Sequence, residues 1–317
     1  MGRRHLDNLL QLGVHDILLY RTSQESLKEA PDLPVFTDLT EALASRPNLV
    51  LVSNPTAYHL QVALTAARAG CHLFIEKPLS HTWDGVEELV SIIRQRNLMT
   101  LVGFDLRFDP ALCQVKDLIE NGCIGRCLSI QAQVGEYLPD WHPWENYRQG
   151  VSGRAETGGG VILDLIHELD YVTWLLGPVT EIFCFAGKVS NLEIETEDTA
   201  VMSLKFNSGA LGSIHLDYLQ RVPSRTCRII GERGTIFWDY FAKKVACYSP
   251  SKKEPREFEY ATAQRNNRFL EEMRHLLACM EGRVRPKVDV VSGSRTLKLA
   301  LAAKESAALG KVCHLTE

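Results

Sequence analysis

Through residue 104, short apolar runs alternate with longer amphipathic stretches. "GRRHLDNLLQLG" (2–13) reads as a helix ended by Gly13, a residue that readily takes the left-handed conformation after a helix. The apolar run "DILLY" (16–20) predicts a short strand. "DLTEALAS" (38–45) predicts a helix opened by Asp38, and "NLVLVS" (48–53) a continuously apolar strand. "PTAYHLQVALTAARAG" (55–70) is an amphipathic helix with Pro55 near its start and Gly70 after its end. The pattern repeats in strand "CHLFIE" (71–76), helix "TWDGVEELVSIIRQRN" (82–97) and strand "MTLVGF" (99–104). Continuously apolar strands separated by helices predict a parallel sheet covered on both faces. The expected fold is α/β, a doubly wound Rossmann-like domain of the kind that binds nucleotides at strand C-termini.

Beyond residue 105 the alternation stops. Helix "PALCQVKDLIENG" (110–122) leads to strand "CLSIQAQVGEY" (127–137), an irregular aromatic stretch and the helix "GGGVILDLIHELDYVTWLLG" (158–177). Runs over 180–188, 198–207, 210–219, 224–231 and 234–238 read as strands separated by "NSG" and "GERG" turns, hence a largely antiparallel sheet. Two helices, about 266–281 and 292–309, close the chain. The reading is a dinucleotide-binding domain over 1–106 and an α+β substrate and oligomerisation domain over 107–317. The closing helix 292–309 is expected to pack back on the first domain. One face of the second sheet is expected to meet another subunit, in a homodimer or homotetramer.

Composition narrows the picture. With 317 residues, 45% of them hydrophobic, the chain can build two cores. A net charge of −4 argues against nucleic acid or an anionic membrane as partner. "MGRRHLDNLL" lacks the apolar core of a leader, and no apolar run of about 18 residues spans a bilayer. The nine cysteines are scattered, and Cys123 and Cys127 have no second pair to complete a zinc site. They read as buried thiols in a reducing cytoplasm, and no metal is expected.

A dinucleotide-binding domain begins with a strand and a G-x-G-x-x-G turn that feeds a helix, whose N-terminus holds the pyrophosphate. Here the helix begins at residue 2, so the first strand is missing. Gly2 is then the last glycine of that fingerprint, with Arg3 in the first helical turn. The expected explanation is a start assigned too late by roughly ten residues, the length of a strand and its turn. The alternative is a variant that has lost dinucleotide binding. Cofactor choice turns on "YRTS" (20–23), which offers Arg21 and Thr22 and no acid. An acid there would meet the ribose of NAD, whereas an arginine accommodates the 2′-phosphate, so NADP is favoured over NAD. The turn Ser53-Asn54-Pro55, with His59, is expected along the cofactor's other edge.

In "HLFIEKPLS" (72–80) an apolar strand runs into Glu76, Lys77 and Pro78. A strand-end lysine is ordinarily a solvated loop charge; otherwise its ammonium serves a site. Helix 158–177 carries Asp164, His167 and Asp170 at helical spacing among apolar residues, and burying three polar groups costs free energy unless they are paired. Three apart, Asp164 and His167 are expected on one helix face. Oxidising an alcohol removes a hydride and a proton together. An imidazole suits the proton near neutral pH, and a nearby ammonium favours the developing alkoxide. Trp144, Tyr147 and Arg148 either form a wall against a sugar ring or pack beneath a loop.

Taken in order and spacing, "SNPTAYH", "EKP" after its strand, "GFDLRFDP", "GGGVILDLIHELD" and "AAKESAALG" give a chain that resembles the glucose-fructose oxidoreductase/inositol dehydrogenase/MocA (Gfo/Idh/MocA) family over nearly its whole length. The resemblance implies NAD(P)-dependent hydride transfer on a sugar, nucleotide sugar or polyol. It also implies that Lys77 orients the reacting oxygen, that Asp164 holds a substrate hydroxyl and that His167 exchanges the alcohol proton. Glu76 is implied beside the nicotinamide ribose, and Arg107 of "GFDLRFDP" at the substrate. The family more often spaces its Asp and His four apart. Two other functions stand beside this one: an NAD-dependent glycosidase, as in one branch of the family, and a non-catalytic nucleotide-sensing or assembly protein, motivated by the absent Gly-rich strand.

Overall fold

The computed structural model describes residues 1–23, 32–141, 146–250, 254–260 and 264–315. Helix α1 (Gly2–Gln11) is followed by β1 (Leu19–Tyr20) and β2 (Val35–Phe36), which pair in parallel. Helix α2 (Leu39–Ala44) starts where the Asp38 carboxylate accepts from the N–H groups of Thr40 and Glu41, which fixes the first turn. Strands β3 (Leu49–Val52), β4 (His72–Glu76) and β5 (Thr100–Gly103) form a second parallel sheet in that order, joined by α3 (His59–Arg68) and α4 (Val86–Arg96). Helix α4 starts later than the pattern predicts because Gly85, at φ +82°, turns the chain left-handed just before it.

Among the described residues no ladder joins β1 to β3, so the parallel layer comes in two pieces. Helix α1 bridges them. Leu6 packs with Leu19 and Leu33 on one side, while Leu9 meets Phe74 and Leu101 on the other.

After a single turn at Asp105–Phe108 come α5 (Pro110–Glu120), β6 (Cys127–Gly135), α6 (Leu138–Trp141), α7 (Val161–Asp164) and α8 (His167–Leu176). The predicted helix 158–177 is therefore two helices. Leu165, at φ −96° and ψ +31°, breaks it, so Asp164 ends one helix and His167 opens the next rather than sharing a face.

Then follow β7 (Val179–Gly187), β8 (Thr199–Phe206), β9 (Leu211–Asp217), β10 (Ser224–Gly231), β11 (Gly234–Asp239), β12 (Lys244–Tyr248) and β13 (Arg256–Glu259). Helices α9 (Arg265–Met280) and α10 (Val290–Leu309) and strand β14 (Cys313–His314) end the chain. The sheet order is β13-β12-β11-β10-β6-β9-β8-β7-β14, antiparallel except where β6 runs beside β9. Strands β12, β13 and β14 extend it beyond the runs that the pattern predicts.

Alternation along these strands buries one face. Ile182, Cys184, Met202, Leu204, Ile214 and Leu216 point to the helices and are at most 3% exposed. The other face carries Phe185 (69% exposed), Val201 (47%) and Leu211 (59%). Both closing helices reach the parallel layer. Met273 and Leu276 of α9 join Phe74 and Leu101 in one cluster, and at the start of α10 Val290 N–H donates to Thr100 Oγ1 at 3.0 Å. Farther along α10, Ser306 Oγ accepts from Cys184 N–H of β7 at 3.0 Å.

Candidate active site

Ile75 and Glu76 are the last residues of β4 in the ladder, so Lys77 is the first beyond the C-terminal edge of the parallel sheet. Its ammonium leaves the first layer: Nζ donates to the Asp164 carbonyl oxygen at 2.6 Å and lies 3.9 Å from the Asp164 carboxylate. That carboxylate also accepts from Tyr218 Oη at 3.0 Å and from Ser152 Oγ. Burial, and then the negative Asp164, push the Tyr218 phenol well above its usual range, so it stays a donor.

His167 opens α8 and is buried. Its Nε2 lies 3.3 Å from Asp105 Oδ1, its edge meets the Phe104 ring, and its Nδ1 is buried without a partner. Burial, reinforced by Lys77, Arg225 and Arg268 and opposed by Asp105, holds the imidazole well below its usual pKa, so it is neutral at pH 7. Asp105 answers differently. Burial works against its charge, but Arg268, His167 and Lys77 outweigh it, and its pKa is lowered. Arg268 Nε donates directly to Asp105, and Arg268 Nη1 donates to Tyr240 Oη.

Lys77, Asp164 and His167 thus come together between the two layers. The structure adds Asp105, Arg268, Tyr218 and Ser152, which the sequence reading missed. Asp105 had a weak signal, an acid directly after an apolar strand; the others arrive from distant segments.

Arg107 goes elsewhere. Its Nε and Nη2 donate to the two Asp170 carboxylate oxygens at 2.6 and 2.9 Å, and its guanidinium stacks on Trp174. Both residues are buried, and their fork locks the junction to α8. Asp170 therefore belongs to that lock rather than to the cluster at His167. Tyr147 and Arg148 stack on each other at 4.9 Å; Tyr147 is half-buried against the core, and Arg148 Nε donates to Glu193 at the surface, while Trp144 lies outside the described residues. Gly158–Gly160 serve the chain itself: a Cβ at Gly159 would overlap the carbonyl of Val151, and one at Gly160 the Glu197 carboxylate.

On the first layer, Gly2 lies against Ser53: a Cβ there would come within 2.8 Å of Ser53 Oγ. Buried Asn54 Oδ1 has no partner, and the first turn of α1, with Arg3 exposed, has no side-chain cap. The first-turn N–H groups of α1, left without a side-chain cap, fit a dinucleotide's phosphates, whereas Asn54 Oδ1, an acceptor, does not. Arg21 and the exposed Thr22 follow β1, on the same edge. Pro55, exposed, follows Asn54 in the turn after β3. His59 is not at the surface. Its ring nitrogens lie 2.8 Å from the carbonyl oxygens of Pro78 and Asn54, tying together the loops after β3 and β4, and burial lowers its pKa. Glu76 is buried against His5 Nε2 at 2.5 Å. No group of three or more metal-ligating side chains occurs among the described residues. No helix among them is long and apolar enough to cross a membrane.

A parallel sheet with an uncapped helix N-terminus at its C-terminal edge, facing a lysine, an acid and a neutral histidine, is the arrangement expected of an NAD(P)-dependent dehydrogenase. The chain belongs to the Gfo/Idh/MocA oxidoreductase family. Residues 1–104 match the family model described as "Oxidoreductase family, NAD-binding Rossmann fold", and residues 112–237 that of the GFO/IDH/MocA C-terminal domain. Myo-inositol 2-dehydrogenase of Thermotoga maritima is 27% identical over 96% of this chain and 93% of its own. Levoglucosan dehydrogenase of Pseudarthrobacter phenanthrenivorans is 26% identical over 61% of this chain and 55% of its own. The WlbA dehydrogenase from Bordetella pertussis, solved with NADH and UDP-GlcNAcA, is similar in fold at a TM-score of 0.84 and 24% identity, covering 100% of this chain and 96% of that one. A levoglucosan dehydrogenase solved with NADH and levoglucosan reaches a TM-score of 0.88 at 20% identity over 100% of this chain and 97% of that one.

Proposed function

We propose that this enzyme interconverts an alcohol and a ketone on a sugar, nucleotide sugar or polyol, and that it takes NADP in preference to NAD. The observation that carries the reading is the meeting of Lys77 with Asp164 beside a buried, neutral His167. When bound, the nicotinamide supplies the hydride acceptor or donor. Lys77 Nζ, anchored on the Asp164 carbonyl, donates to the reacting oxygen and stabilises it as negative charge grows. Asp164, oriented by Tyr218 and Ser152, accepts from a neighbouring substrate hydroxyl. His167 takes the alcohol proton, and the resulting imidazolium is balanced at Nε2 by the Asp105 carboxylate. Division of labour follows residues 1–106 for the dinucleotide and 107–317 for the substrate, in a cytoplasmic protein.

The test is an assay of purified chain against polyols, aldoses and nucleotide sugars with each dinucleotide, followed by the absorbance of reduced nicotinamide. Free sugar released without net reduction would make the enzyme a glycosidase; no turnover and no dinucleotide binding would overturn the reading. Arg21 carries the NADP preference. Arg21→Asp is expected to weaken NADP binding by roughly 10- to 100-fold, the size of a lost charged hydrogen bond, while NAD binding stays the same or tightens. Equal loss for both would separate Arg21 from the 2′-phosphate.

The open face of the large sheet, with Phe185 paired across to Val201 and Leu211 farther along, is proposed as the contact in a homodimer or homotetramer. Sedimentation equilibrium should give a multiple of the chain mass, and Phe185→Asp with Val201→Asp should return the monomer. A wild-type monomer at micromolar concentration would rule this out.

A further inference from the structure

Glu272 is a fully buried acid whose carboxyl has no bond of its own. It stands on α9 one turn after Arg268, is 0% exposed, and neither carboxyl oxygen has a hydrogen-bond partner. The neighbouring cations and imidazoles bond or stack with other groups, while His5 Nδ1 and Asn8 Nδ2 of α1 are themselves buried without a partner. Arg268, on the same helix, donates to Asp105 and Tyr240. His5 of α1 is held to Glu76 of β4. Arg4, also of α1, stacks on Phe269. His167 of α8 faces Asp105. A bare carboxylate at Glu272 would therefore be buried beside two other acids, Asp105 and Glu76, with no donor of its own. A protonated carboxyl forfeits only hydrogen bonds.

We propose that Glu272 is a positioning residue that keeps its proton through the working pH range and, by staying neutral, leaves Asp105 as the ionised partner of both Arg268 and His167. A third negative charge would compete with Asp105 for the Arg268 guanidinium and would change the field at His167. The effect on catalysis rests on His167 as proton acceptor; the charge state of Glu272 does not. Burial first, and then Asp105 and Glu76, raise the Glu272 pKa well above its usual value, with Arg268 opposing. Because the folded chain then holds a proton that the unfolded chain has released, stability falls as pH rises above the unfolded value of about 4.5.

Glu272→Gln, a neutral isostere, tests this. Its melting temperature should match wild type near pH 4 and exceed it increasingly above about pH 5. At neutral pH its kcat/KM should stay within about twofold of wild type, whereas at alkaline pH it should keep several-fold more activity, because the acid that ionises in wild type is gone. Carboxyl-carbon NMR of wild type labelled at glutamate Cδ supplies a readout that needs no activity. One resonance, assigned by its loss in Glu272→Gln or Glu272→Met, should hold the neutral-acid shift through neutral pH. A resonance titrating near the usual glutamate value, or a Gln variant less stable at every pH, would overturn the proposal. The expected titration in a chain without dehydrogenase turnover would defeat the functional reading and leave Glu272's protonation standing.

Discussion

Lys77→Ala is expected to lower kcat by about 10²- to 10³-fold while the dinucleotide dissociation constant changes by no more than about threefold. The size follows from the position. The Lys77 side chain is 21% exposed and its ammonium is anchored by one carbonyl, so it is a preset donor at the mouth of the site rather than a solvated charge. Removing one such donor to a developing oxyanion costs on the order of 3–4 kcal/mol in the transition state and little in the ground state. The fold should tolerate the change, since one hydrogen bond to a backbone carbonyl is worth about 1–1.5 kcal/mol. Lys77→Arg should not rescue it, because a planar fork cannot occupy the place of a compact ammonium on the Asp164 carbonyl. Steady-state rates beside a fluorescence titration of the dinucleotide separate the two effects. Unchanged kcat in the alanine variant would remove Lys77 from the chemistry.

Much of this was legible in the chain, and the reason is local. Lys77 stood out because an apolar strand ended in a charge; Asp164 and His167 stood out because they interrupt an apolar stretch. Those signals need only neighbours. The break at Leu165 was not legible, since "VILDLIHELD" has no Gly or Pro to announce it, and so the shared helix face was expected wrongly. Asp170 shows the second limit. At helical spacing from His167 it read as part of the site, yet its partner Arg107 lies 63 residues away and turns the pair into a lock. Arg107 was misplaced for the same reason: an arginine's role depends on which acid the fold sets before it. Asp105 and Arg268 meet across 163 residues, beyond what spacing can convey. The parallel layer and the antiparallel layer were readable from period and burial, while β12 to β14 were too short or too polar to stand out.

That Asp105–Arg268 meeting supports the last expectation. Asp105→Asn should lower kcat by about 10²-fold or more and destabilise the fold by about 3 kcal/mol, two losses with different causes. The rate falls because an imidazolium at His167 would face a neutral amide instead of a carboxylate 3.3 Å from Nε2. The His167 pKa, already lowered by burial, should drop further, since the Asp105 carboxylate is the charge that raises it. The fold weakens because Arg268 keeps its charge in a buried place; the estimate sits at the low end for a broken buried pair because asparagine still offers an oxygen. The pH dependence distinguishes the two. A lowered Asp105 pKa means that the wild-type contribution is complete above the unfolded value of about 4 and is lost as pH falls through the folded one, so the stability gap to the variant should narrow in acid. Kinetic loss should instead persist across neutral pH. Urea denaturation at several pH values, with kcat measured on the folded fraction, checks both. If Asp105→Asn lost stability but kept kcat, the carboxylate would be a support for Arg268 alone, and the proton at His167 would need another counter-charge.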